Sequence, residues 1–109
     1  MKIKTQNIFE SVYQVVELIP LGKVTTYGAI AAYLGLKGGA RVVGYAMHSA
    51  PKGVPAHRVV NRLGELSAKN SFETPYMMQE RLEQEGLVIN EDRIEDFKDR
   101  FWDPSVALD

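Results

Sequence analysis

The sequence predicts a mainly α-helical fold with a small β-ribbon, arranged as a winged helix-turn-helix. Three observations carry this. Two short helical stretches, 29–34 and 40–50, are separated by Gly35 and the Lys37-Gly38-Gly39 turn. A β-branched pair, Val59-Val60, follows them and leads into the turn-forming run Asn61-Arg62-Leu63-Gly64. The 109 residues contain no repeat, low-complexity stretch or linker, so residues 1–109 read as one domain.

Taken in order, Thr5 caps an amphipathic helix over 5–19, with Ile8, Val12, Val15, Val16 and Ile19 on one face. Pro20-Leu21-Gly22 ends it. Thr25 and Thr26 are alternative caps for the small-residue helix Ala29–Leu34, and Gly35 is its stop. Ala40 to Ala50 forms the second helix of the motif, ended by Pro51. Arg58-Val59-Val60 and Glu65-Leu66-Ser67 are the arms of the ribbon. Thr74-Pro75 caps a helix running to Gln84 or Glu85, with Tyr76, Met78 and Leu82 as its apolar stripe and Gly86 as its stop. Leu87-Val88-Ile89 is a short extended piece. The charged end, 91–109, docks through Ile94, Phe97, Phe101 and Trp102.

Composition excludes several classes of function. With no cysteine there are no disulfides, thiolate metal sites or thiol nucleophiles. His48 and His57 have no carboxylate at ligand spacing, so no metal is expected. The glycines at 35–39 lack the Lys-Ser/Thr ending of a phosphate-cradling loop, and no cofactor is expected. No apolar run approaches the roughly 20 residues of a membrane span, and Met1–Thr5 lacks an apolar signal core; the expected location is the cytoplasm. Net charge is −1, yet its distribution is uneven. Residues 1–79 hold nine Lys/Arg against four Asp/Glu, and residues 80–109 hold four against ten. A basic body suits a polyanionic partner, although two solvated faces of opposite sign give the same counts.

Three separated motifs carry a resemblance: Thr26-Tyr27-Gly28, Arg41-Val42-Val43-Gly44 and Pro55-Ala56-His57-Arg58-Val59. In this order they resemble the O6-alkylguanine-DNA alkyltransferases, whose signature reads Pro-Cys-His-Arg-Val and whose cysteine takes the alkyl group from the base. Ala56 stands at the cysteine position, so the chain is similar to the cysteine-less, alkyltransferase-like members. The resemblance spans about residues 7–89 and implies the winged helix of the alkyltransferase C-terminal domain. It also implies a function: recognition, without chemistry, of O6-alkylguanine in double-stranded DNA. Binding is from the minor groove with the base flipped into a pocket, and the site is handed to nucleotide excision repair proteins by a monomer.

The implied DNA contacts are Thr25, Thr26, Tyr27, Arg41, Gly44, Tyr45 and His48. Tyr27 presses on the phosphate, and Arg41 fills the space the base leaves. The implied lesion pocket is Tyr27, Pro55, Ala56, His57, Arg58, Lys69, Asn70 and Ser71. His57 and Glu85 are remnants of the relay that activates the missing thiol, leaving a hydrogen-bonded structural pair. Ala50 replaces the pocket asparagine, while Tyr45 is bulky for a groove-facing position and Phe72-Glu73 depart from the small residues of the closing loop. From the residues alone, Arg41 and Lys69 also suit solvated positions and Tyr27 a core position. A winged-helix regulator without lesion specificity is the alternative.

Overall fold

The computed structural model describes residues 7–108. Helix α1 is Ile8–Val16, and its cap is Asn7, whose side chain accepts from the Phe9 amide at 2.7 Å. The expected cap Thr5 lies outside the described residues. Val12, Val15, Val16 and Ile19 are buried, but Ile8 at the helix start is half exposed and leaves the expected stripe. The helix ends before Ile19, and residues 18–19 continue as a tighter turn through Leu18 N–H to Val15 O and Ile19 N–H to Val16 O.

Strand β1 is Thr25–Thr26, and it runs directly into α2, Tyr27–Leu34. Of the two candidate caps Thr26 is used: its hydroxyl accepts from the Ala29 amide at 3.0 Å, so the helix begins two residues before Ala29. Gly35 ends it in the left-handed conformation, φ 65°. Helix α3, Gly39–His48, crosses α2 through Ile30 and Ala31 against Val43, Ala46 and Met47, all buried. The Tyr13 hydroxyl donates to Ala46 O at 2.8 Å and fixes α1 against α3.

The ribbon is built differently from the expectation. A 3₁₀ turn, Ala56–Arg58, leads into β2, Val59–Val60, which pairs in parallel with β1: Thr25 opposite Val59 and Thr26 opposite Val60. Both strands are wholly buried, and the physical reason for the pairing is that β2 separates two halves of the core. Val59 packs with Val12, Ile30 and Val43, while Val60, on the opposite pleat, packs with Val24, Leu66, Met78, Leu82 and Leu87. The Asn61–Gly64 turn forms, with Asn61 Oδ1 accepting from the Leu63 and Glu65 amides. Its return arm does not ladder with β2; Glu65 instead bridges Arg93 in antiparallel fashion.

Arg93 belongs to a hairpin absent from the sequence reading, β3 Ile89–Asn90 and β4 Arg93–Ile94. Its two turn residues, Glu91 and Asp92, have φ of 52° and 63°, a conformation usually signalled by Asn-Gly. Helix α4 is Met77–Gln84. Thr74-Pro75 forms the turn ahead of it, with the Thr74 hydroxyl accepting from the Tyr76 amide, and Tyr76 is exposed; the buried stripe is Met78 and Leu82 alone. Two short helices follow, α5 Phe97–Arg100 and α6 Pro104–Ala107. The C-terminal segment is stitched to the body through Val24, whose N–H donates to Arg100 O and whose carbonyl accepts from the Trp102 amide at 2.7 Å. Among the described residues, no helix is long and apolar enough to cross a membrane.

Gly64 lies where the return arm meets Phe97. At φ +78°, a Cβ there would come within 2.8 Å of Phe97 Cγ. Gly64→Ala therefore combines backbone strain with overlap, and urea unfolding should show a loss of about 1–3 kcal/mol with an unchanged m-value.

Candidate nucleic-acid interface

Two hollows adjoin behind α3. The first, about 370 Å³, is bounded by Tyr27, Arg41, Gly44, Ser67 and Ala68. The second, about 430 Å³, is bounded by Ala50, Lys52, Val54, Ala56, Phe72, Glu73, Met77 and Arg81. Met47, His48, Ala68 and Ser71 belong to both walls. His48 Nδ1 lies 3.1 Å from Ser71 Oγ, so one hydrogen bond joins α3 to the 69–71 turn at the partition. Each volume is within the range of small-ligand pockets.

The first hollow gathers residues from three elements. Tyr27 is at the first turn of α2 and is half buried; burial pushes its phenol up, so it stays protonated at neutral pH. Arg41, in the first turn of α3, is exposed. Gly44 and His48 follow on the same outward face, opposite the buried Val43 and Met47. Tyr45 is 59% exposed and borders neither hollow. The hydroxyls of Thr25 and Thr26 are not on this surface. Thr26 caps α2, and Thr25 Oγ1 is buried without a partner.

Of the Pro55–Arg58 segment, Ala56 alone borders the second hollow. His57 and Arg58 turn the other way, toward Glu85 at the end of α4. Arg58 holds that carboxylate with two parallel bonds, Nε to Oε1 at 3.0 Å and Nη2 to Oε2 at 2.8 Å, and its Nη1 donates to Ile19 O at 2.9 Å. His57 Nε2 lies 2.8 Å from Glu85 Oε2. Burial pushes the His57 imidazole down, outweighing Glu85, so the ring is neutral: Nε2–H donates, and Nδ1 is a buried acceptor with no partner. Burial alone would raise Glu85, but the hydrogen bonds from Arg58 and then His57 hold its carboxyl at about 2. The expected structural pair is thus a triad that includes Arg58, which is engaged in it and does not face either hollow.

Lys69 and Asn70 are also placed apart from Ala56. Lys69 Nζ is paired with Asp92 Oδ2, and both residues border a separate depression of about 350 Å³ with Glu65 and Glu91. The reason is the hairpin: Leu66 N–H donates to Asp92 O at 2.9 Å, which brings the Asp92 carboxylate under the turn. Ser71 is the one member of that loop trio on the hollows. Lys52, Met77 and Arg81 were missed by the sequence reading. The four-residue spacing of Met77, Arg81 and Glu85 was the signal, since a helix that sends Glu85 to His57 sends the other two to the same side.

The helix-turn-helix, the parallel strand pair and the hairpin together form a winged helix with a hollow behind its second helix. Residues 7–87 match the family described as 6-O-methylguanine DNA methyltransferase, DNA binding domain, and the chain belongs to this family. It is 37% identical to alkyltransferase-like protein 1 of Schizosaccharomyces pombe over 94% of this chain and all of that one. It is equally identical to the DNA base-flipping protein of Escherichia coli, over 82% of this chain and 70% of that one. The crystal structure of S. pombe Atl1 in complex with damaged DNA containing O6-carboxymethylguanine superimposes with a TM-score of 0.78 at 35% identity, covering 95% of this chain and all of that one. Position 56, where the alkyltransferases carry their acceptor thiol, is alanine, and no cysteine elsewhere replaces it.

The triad fixes the pH response of stability. Glu85 is held at about 2 against an ordinary 4.5, so its contribution is complete above about 4.5 and is lost as pH falls toward 2. His57, held below its ordinary 6.5, adds a loss of the same sign once pH drops under that value. Urea titrations should show stability falling with acidification. Glu85→Gln should cost about 3 kcal/mol at neutral pH, by leaving Arg58 without its counter-charge, and should flatten the acid limb.

Proposed function

We propose that the protein is a non-enzymatic sensor of O6-alkylguanine in double-stranded DNA, carried by one domain acting as a monomer in the cytoplasm. It binds from the minor groove, rotates the damaged nucleotide out, and holds the base in the joined hollows so that nucleotide excision repair proteins act on the site. The observation that carries this reading is the placement of Tyr27 and Arg41 on one hollow and Ala56 on the next. Residues suited to displacing a base and filling its gap stand beside a cavity with an inert floor. Filling the vacated stack with the planar guanidinium of Arg41 offsets unstacking that costs a few kcal/mol. Ala56 has no lone pair to attack an alkyl carbon, so the bound lesion persists. The relatives support this reading by what is recorded of them: one bound to damaged DNA, another named for base flipping.

Competition between matched duplexes, one with a single O6-methylguanine, tests it. The lesion duplex should bind more tightly, and both affinities should fall as salt rises. Equal affinity would favour a winged-helix regulator without lesion specificity. Arg41→Ala should weaken lesion binding roughly tenfold or more, since a lost bidentate or stacked arginine costs about 1–3 kcal/mol. Tyr27→Ala should weaken it less and, because the half-buried ring packs against the core, should also lower the urea midpoint, whereas Arg41→Ala at an exposed position should leave the midpoint nearly unchanged.

Intact mass after incubation with the lesion duplex tests the absence of chemistry. Wild type should gain no methyl group. Ala56→Cys should react slowly at most, because His57 is buried and turned toward Glu85, away from the hollow that Ala56 borders, and Ala50 offers no hydrogen bond to the base. A methylated wild-type protein would overturn the proposal.

A further inference from the structure

Helix α4 turns one face toward the 3₁₀ turn that carries Ala56, and Met77, Arg81 and Glu85 succeed one another on that face. Glu85 is saturated by Arg58 and His57. Arg81, one turn earlier, is not. Among the described residues the ion pairs are His57 with Glu85, Arg58 with Glu85 and Lys69 with Asp92, and neither Arg81 nor Lys52 takes part in one. Both of these cations border the hollow that Ala56 floors. The Arg81 guanidinium carbon stands 5.9 Å from the centroid of the Phe72 ring, a cation–π distance that orients the group without neutralising it. Its field reaches the interior, since it opposes protonation of His57. Glu73 is the single carboxylate on this wall, exposed and also outside any ion pair, so the wall carries an excess of one positive charge.

We propose that Arg81, assisted by Lys52, reads the outer end of the O6 substituent and selects substituents that end in a carboxylate over neutral ones of the same size. This rests on the lesion-binding reading above. A substituent passing over Ala56 enters the half of the cavity that holds the two unpaired cations. A guanidinium presents parallel N–H donors matched to both oxygens of a carboxylate, whereas a primary amide offers one oxygen and two competing donors. An ammonium-ended substituent is disfavoured by like charge.

The test uses the full chain and four otherwise identical duplexes, containing guanine, O6-methylguanine, O6-carboxymethylguanine or O6-carbamoylmethylguanine. The last two are matched in size and differ by one charge. Competition binding at about 0.1 M salt should favour carboxymethyl over carbamoylmethyl by about fivefold, the upper end of what one solvent-exposed ion pair supplies. Arg81→Gln should reduce that ratio by weakening carboxymethyl binding more than carbamoylmethyl or methyl binding, Arg81→Lys should retain part of it, and Arg81→Gln combined with Lys52→Gln should abolish it. Glu73→Gln should widen it. Equal binding of the two matched lesions by wild type would overturn the proposal. So would an Arg81→Gln variant weakened equally toward all four duplexes, which would make Arg81 a contact to the DNA backbone. A chain that binds O6-methylguanine no better than guanine would remove the lesion reading itself; a chain that prefers O6-methylguanine but ignores the carboxylate would remove this inference alone.

Discussion

The contact on which the site depends is the one between Arg58 and Glu85. A carboxylate at the end of α4 accepts two bonds from Arg58 and one from His57, and Arg58 spends a further donor on the carbonyl of Ile19. Three segments far apart in sequence, the turn after α1, the turn before β2 and the end of α4, are thereby fixed on one planar cation. All three side chains are at least 85% buried. At such burial an unmatched charge is expensive, and the matched one gains mainly in geometric definition. Ala56 is the residue immediately before this cluster. Its position at the floor of the hollow is set by the direction in which its two neighbours are pulled.

Much of this was legible in the sequence because local chemistry and tertiary outcome agree there. Thr26, Gly35 and Gly86 begin or end helices as their types dictate, and Val43, Met47, Met78 and Leu82 are buried at helical spacing. The parallel pairing of Thr25-Thr26 with Val59-Val60 was not legible. Two-residue strands separated by more than thirty residues leave no periodic trace, and a nearby turn makes a local ribbon the natural expectation. The Glu91-Asp92 turn was hidden for another reason: Glu91 carries no turn signal, and Asp92, which tolerates positive φ, lacks the glycine that usually accompanies it in such a turn.

The site divides in the same way. Tyr27, Arg41, Gly44, His48, Ala56 and Ser71 lie on the two hollows, as motif positions on well-defined elements. Thr25, Thr26, Arg58 and Lys69 do not present their side chains there, because each is claimed by a cap, a buried pairing or an ion pair invisible in sequence. Polar side chains make partners wherever the fold offers them. A motif fixes the backbone location of such a residue more firmly than its direction.

The hairpin of β3 and β4 lies beyond residue 87, where the family match ends. It nevertheless holds the segment that bounds both hollows. Arg93 Nε donates to Leu63 O, Ile94 N–H to Gly64 O, Leu66 N–H to Asp92 O, and Lys69 pairs with Asp92. The span from 63 to 69 is buttressed along its outer side, and its continuation, Ser71, meets His48. The segment that walls the cavity is therefore braced from outside residues 7–87. Two chains with the same Thr-Tyr-Gly and Pro-Ala-His-Arg segments, but different C-terminal buttresses, would share a fold and enclose hollows of different shape.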